Sequence, residues 1–160
     1  MMNLNDTFDT LNKAIDELKV KEDSLINVIK KHYYPKLFNI IKMLDYLVEF
    51  DIIKDTTFTF SKVEIKLPSS KTLTGEIIFY DGLGRQLIIR VSNSNINMYY
   101  SNTHTDVKPT LFSEVELLRA FIDYFNTFEN AFSDYLKNIN MRTKQLITLS
   151  DKTINIFNNK

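Results

Sequence analysis

Three groups of residues have types and spacing that invite chemistry: Asp81-Gly82-Leu83-Gly84-Arg85, the run Ser101-Asn102-Thr103-His104-Thr105-Asp106, and the histidines His32 and His104. A dinucleotide fingerprint requires three glycines between a strand and a helix, so that backbone N–H groups reach the pyrophosphate. Here Leu87 occupies the third position and an apolar, strand-like run follows. The glycines therefore read as a hairpin loop that uses positive φ, with Asp81 and Arg85 pairing across it. For nucleophilic catalysis a Ser or Thr needs a base within hydrogen-bond reach and an acid to orient that base. Only His104 and His32 qualify as bases, and the residues around His104 are also ordinary loop formers. Two histidines are too few for a metal site without further ligands. No cysteine is present, which removes disulfides, thiolate nucleophiles and sulfur-ligated metals. No metal, cofactor or enzymatic activity is expected.

The elements that must position these residues follow from periodicity. Leu4, Phe8, Leu11, Ile15, Leu18, Leu25 and Ile29 recur at three and four and mark one helical face, opened by Asn3 or Asn5 as a cap. Glu22 falls where that stripe calls for an apolar residue. Tyr33-Tyr34-Pro35 stops or kinks the helix, because proline lacks a donor and its ring meets the preceding turn. The expectation is a helical pair over about 5–32 and 36–50, the second marked by Leu37, Ile40, Ile41, Leu44, Leu47 and Val48.

Between residues 56 and 101 the period becomes two. Short separators at Pro68-Ser69-Ser70, Asp81 to Gly84 and Asn93-Ser94 then give a four-stranded antiparallel meander, with a bulge or a change of exposed face where the parity slips at Ser61-Lys62. Ser113-Glu114-Val115-Glu116 reads as a capping box. Beyond it Phe121, Phe125, Phe128, Phe132 and Tyr135 run at helical spacing, predicting a long C-terminal helix over about 113–148, which the tail 151–159 either continues or leaves as a frayed end. Such an aromatic stripe is ordinarily core rather than a groove for an apolar ligand. The fold class is α+β in a single domain, residues 1–160.

Formal charge is zero, with 20 basic and 20 acidic side chains, so nucleic acid is not the favoured partner. The distribution is polarised. Residues 1–17 carry four acids and one base, 19–42 six bases and two acids, 111–136 five acids and one base, and 137–160 five bases and one acid. Opposite charges meet if the C-terminal helix packs antiparallel to the N-terminal one, or if two copies do so. The N-terminus is amphipathic and acidic early, unlike a signal peptide, and no run has membrane-spanning length. A cytoplasmic location, that of the host cell if the gene is viral, is expected.

Tyr80-Asp81…Gly84-Arg85 resembles the core of the tyrosine–aspartate repeats of large toxin shells, but it occurs once and carries no family assignment. With no site visible, the expected function is surface presentation. The first reading is a small non-enzymatic protein-binding module: an inhibitor, adaptor or immunity-type protein. Its Asn/Lys/Ile-rich composition, with Asn at about a tenth of the residues, suggests an AT-rich phage or mobile-element genome. Leu83, Arg85, Tyr33, Tyr34, Tyr99, Tyr100 and His104 are the candidate partner contacts. The alternatives are an oligomeric structural or assembly protein, such as a virion component or assembly chaperone, and a single-stranded nucleic-acid binder that stacks bases on the tyrosines.

Overall fold

The computed structural model describes residues 3–67, 74–92, 95–102 and 110–159. Its architecture is α+β. Helix α1 (Leu4–Val28), a π-helical turn (Ile29–Tyr33) and α2 (Tyr34–Glu49) precede five strands, β1 (Thr57–Phe60), β2 (Val63–Lys66), β3 (Gly75–Tyr80), β4 (Arg85–Val91) and β5 (Ile96–Asn102), and the chain closes with α3 (Leu111–Asn158). Two compact units result, Met1–Tyr124 and Phe125–Lys160, the second being the continuation of α3.

Asn3 caps α1, its side-chain oxygen accepting the Asn5 N–H at 3.1 Å. The helix then runs on without a break, which corrects the expected pair. Pro35 is accommodated because the Tyr34 N–H donates to the Ile29 carbonyl, five residues back. This wider turn lies where the missing proline donor and the proline ring would otherwise interrupt an α-helical ladder. Pro35 thus sits in the first turn of α2, a place that proline tolerates. Leu37, Ile40, Ile41 and Leu44 form the buried face of α2. The helix ends where Asp51 takes a left-handed φ of 57°.

Every strand pairs antiparallel with its sequence neighbour, giving the order β1-β2-β3-β4-β5. The expected slip at Ser61-Lys62 is a turn and not a bulge, so the sheet has five strands where four were expected. Ser61 adopts a φ of 44°, and Phe60 pairs directly with Val63. Register aligns Phe58, Ile65, Ile77, Ile89 and Met98 across the sheet, and beside them Phe60, Val63, Phe79, Leu87 and Tyr100. These two rows form the inner face. Gly75, at the start of β3, lets α2 approach closely: a Cβ there would lie 2.7 Å from Ile41 Cδ1.

The start of α3 closes over this face. Phe121 meets Phe79 edge-on at 5.6 Å and Tyr33 at 6.3 Å, while Tyr124 lies 5.8 Å from Phe79. A reciprocal box opens the helix one turn before the predicted one. The Thr110 hydroxyl accepts the Ser113 N–H at 3.2 Å and the Ser113 hydroxyl accepts the Thr110 N–H at 2.8 Å. The direction of these turns also departs from expectation. As α3 advances from Glu114 to Phe121, its neighbours on the N-terminal helix advance from Glu22 to Tyr33, in the same sense and not antiparallel. The helix extends to Asn158, so the tail beyond 148 continues it and does not fray.

Within the second unit, Phe125 and Phe128 meet edge-on at 5.9 Å and Phe132 stacks on Tyr135 at 6.4 Å. Phe125, Phe128 and Phe132 are buried, as the aromatic stripe required.

Candidate functional site

The hairpin tip is built as a turn. Asp81 Oδ1 accepts the N–H groups of Leu83 at 2.7 Å and Arg85 at 3.1 Å, and Gly82 and Gly84 adopt φ of 86° and 82°. Arg85 donates from Nε to Asp81 and from Nη1 to Glu116 of α3 at 2.7 Å. Its guanidinium is therefore already engaged on two sides, which raises its pKa through the bond to Glu116 and then that to Asp81. Burial would raise the Asp81 carboxyl, but the hydrogen bonds from Leu83 and Arg85 outweigh it and the net shift is downward. Leu83 projects from the tip at 76% exposure. Leu83 is thus the exposed apolar residue of the tip, while Arg85 ties the hairpin to α3.

The two tyrosine pairs divide between different surroundings. Tyr99 lies on the outer sheet face with Arg90 5.3 Å over its ring, and Tyr33 packs on Phe121. Tyr34 and Tyr100 face inward, and both hydroxyls are buried without a hydrogen-bond partner among the described residues. Burial pushes the Tyr34 phenol to about 12. It pushes the Tyr100 phenol up as well, reinforced by the nearby Glu22 and Glu114 carboxylates and by Tyr34. Glu22, the misfit of the α1 stripe, is thereby explained: it turns toward Glu114, with which it shares a side-chain hydrogen bond.

Burial first, and the Glu114 bond and charge second, raise the Glu22 pKa above the ordinary 4.5. The folded state therefore holds the Glu22 proton more tightly than the unfolded chain does. Stability from this site is complete below pH 4.5 and is lost as the pH rises through the higher folded value. Glu22→Gln is expected to be more stable than the native chain at pH 7 and to lose that advantage near pH 4, as read by urea denaturation at both pH values. An unchanged pH dependence in the variant would show that Glu22 does not carry the effect.

The outer sheet face offers a depression bordered by Lys66, Glu76, Arg90, Asn97 and Tyr99. Its cations are matched by acids, Arg90 to Glu76 at 3.5 Å and Lys66 to Glu64 at 3.9 Å, which leaves little field for an anionic ligand. His104 and Asp106 lie outside the described residues, and His32 is exposed on the π turn. Among the described residues no group of three or more His, Cys, Asp or Glu is arranged to hold a metal ion, and no helix is long and apolar enough to cross a membrane.

The largest uncompensated feature is helical. Every residue from Asn140 to Asn159 is exposed. The segment nonetheless carries Met141, Leu146, Ile147, Leu149, Ile154, Ile156 and Phe157, each more than half exposed. In the first unit, α1 contains no buried residue, and its stripe leaves Leu4 at 85%, Phe8 at 60% and Leu11 at 49% exposure. The sequence did signal the α3 segment, through apolar residues continuing past 139 with no Gly or Pro. Its lack of cover could only be seen in the fold.

No family model matches the chain, and neither the curated proteins nor the solved structures contain a match to it.

Proposed function

We propose that this protein is a non-enzymatic protein-binding module whose contact surfaces are helical, the C-terminal turns of α3 and the apolar stripe of α1. The observation that supports this reading is the exposure of every residue from Asn140 to Asn159 in a segment rich in Leu, Ile and Phe. A solvated helix of this length is marginal in water, since most helical stability in proteins comes from packing an apolar face. A contiguous exposed apolar surface of this kind marks an interaction site. The matching mode is an amphipathic helix laid on a partner helix or into a groove, anchored by large aliphatic side chains at helical spacing. The sheet and α2 act as the scaffold, and the reading calls on no cofactor.

The test is affinity capture from the native host with the intact chain and with a Leu146→Asp, Leu149→Asp, Ile156→Asp variant. The intact chain is expected to retain a protein partner in stoichiometric amount at moderate salt. The variant is expected to bind it at least about 30-fold more weakly, the loss that follows when anchors of about 2 kcal/mol are removed. Equal recovery by the two proteins would overturn the reading.

A further inference from the structure

We infer that the partner of this helical surface is a second copy of the chain, the α3 segment 137–158 of one copy lying on the α1 segment 4–18 of another. The inference rests on the helical-contact reading above and names its occupant. Both segments are amphipathic, both are uncovered, and their charges are inverse. Residues 4–18 hold Asp6, Asp9, Asp16 and Glu17 against Lys13, a net of −3, while 137–158 hold Lys137, Arg142, Lys144 and Lys152 against Asp151, a net of +3.

Pairing like with like, α1 on α1 or α3 on α3, sets three net charges against three of the same sign. Pairing α1 with α3 opposes them. Most of these charges lie off the apolar stripes, so they choose the pairing while the apolar side chains hold it. The three large apolar residues uncovered in segment 4–18 and the seven in segment 137–158 offer on the order of 1,000 Å² of surface, and two copies that make the contact twice reach the roughly 1,200–2,000 Å² of stable interfaces.

Charge reversal tests the pairing on the full-length protein. Asp6→Lys, Asp9→Lys, Asp16→Lys turns the α1 segment from −3 to +3, and Arg142→Glu, Lys144→Glu, Lys152→Glu turns the α3 segment from +3 to −3. By sedimentation equilibrium the native chain is expected to self-associate. Each variant alone is expected to do so at least about tenfold more weakly, and an equimolar mixture of the two to recover association, because both α1–α3 contacts between unlike variants then oppose charges of +3 and −3. Circular dichroism of each variant before mixing separates misfolding from lost association, and recovery on mixing itself requires that both are folded.

A native chain that stays monomeric at its highest soluble concentration overturns the inference, as does a mixture that associates no better than its components. The two levels separate cleanly. A monomer that still captures a different protein through residues 140–158 sinks the second-copy assignment and leaves the binding-module reading standing. A monomer that captures nothing ends both.

Discussion

Phe121→Ala is expected to lower the stability of the fold by about 3–5 kcal/mol, the cost of removing a large aromatic side chain from a packed interior. Phe121 is 1% exposed and sits where three elements converge, edge-on to Phe79 of β3 and to Tyr33 at the end of the π turn. Its removal leaves a cavity that the sheet cannot close by shifting, because Phe79 is fixed in register between Val63 and Leu87. Domains of this size commonly have only about 5–15 kcal/mol in total, so the variant would be close to unfolding. Urea denaturation gives the measurement, with Phe121→Leu as the graded control that retains much of the volume. A loss below about 1 kcal/mol for the alanine variant would show that α3 does not pack on the sheet as described.

Gly75→Ala should cost about 1–3 kcal/mol even though alanine is ordinarily better tolerated in a strand than glycine, because the added methyl overpacks a filled core. The new Cβ would lie 2.7 Å from Ile41 Cδ1 and 2.9 Å from Ile41 Cγ2, and Ile41 is itself 1% exposed. One of those atoms can be removed by a second substitution. Gly75→Ala combined with Ile41→Val is therefore expected to cost less than the sum of the two single changes, the non-additivity that marks direct contact. Strict additivity in a double-mutant cycle would place the cause of the loss elsewhere.

The strands were legible as short alternating or continuous apolar runs between turn residues, and β3 through β5 fall within two residues of the runs 73–80, 85–92 and 95–100. One strand was hidden at Ser61-Lys62, since a two-residue turn and a bulge shift side-chain parity in the same way and only the backbone angle at Ser61 separates them. Pro35 misled for a related reason: the rule that proline ends a helix assumes an α-helical ladder, and a π turn relaxes that assumption. At the start of α3 two boxes overlap in sequence, Thr110 to Ser113 and Ser113 to Glu116. Glu116 gives the Ser113 box the stronger pattern, yet its carboxylate is used by Arg85, a contact from another part of the chain that local pattern cannot reveal. Glu22 was visible as a misfit in an apolar stripe, while its partner Glu114 was not, because their meeting depends on the same-sense course of α3. The exposed end of α3 was readable as helix, but exposure is a property of the whole fold.

The π turn at Ile29–Tyr33 also bears on how this chain tolerates insertions and deletions. A π turn contains one residue more than an α-helical path needs, and one α-helical residue corresponds to a rotation of about 100° about the helix axis. Deleting a single residue there would close the wide turn to α-helical spacing and set the Pro35 ring against the preceding turn. It would also swing the whole of α1 about a third of a turn relative to α2, carrying Glu22 away from Glu114 and redirecting the stripe of Leu4, Phe8 and Leu11. A length change of one residue at this point would therefore be read as a new orientation of the N-terminal helix, leaving the sheet and α2 untouched.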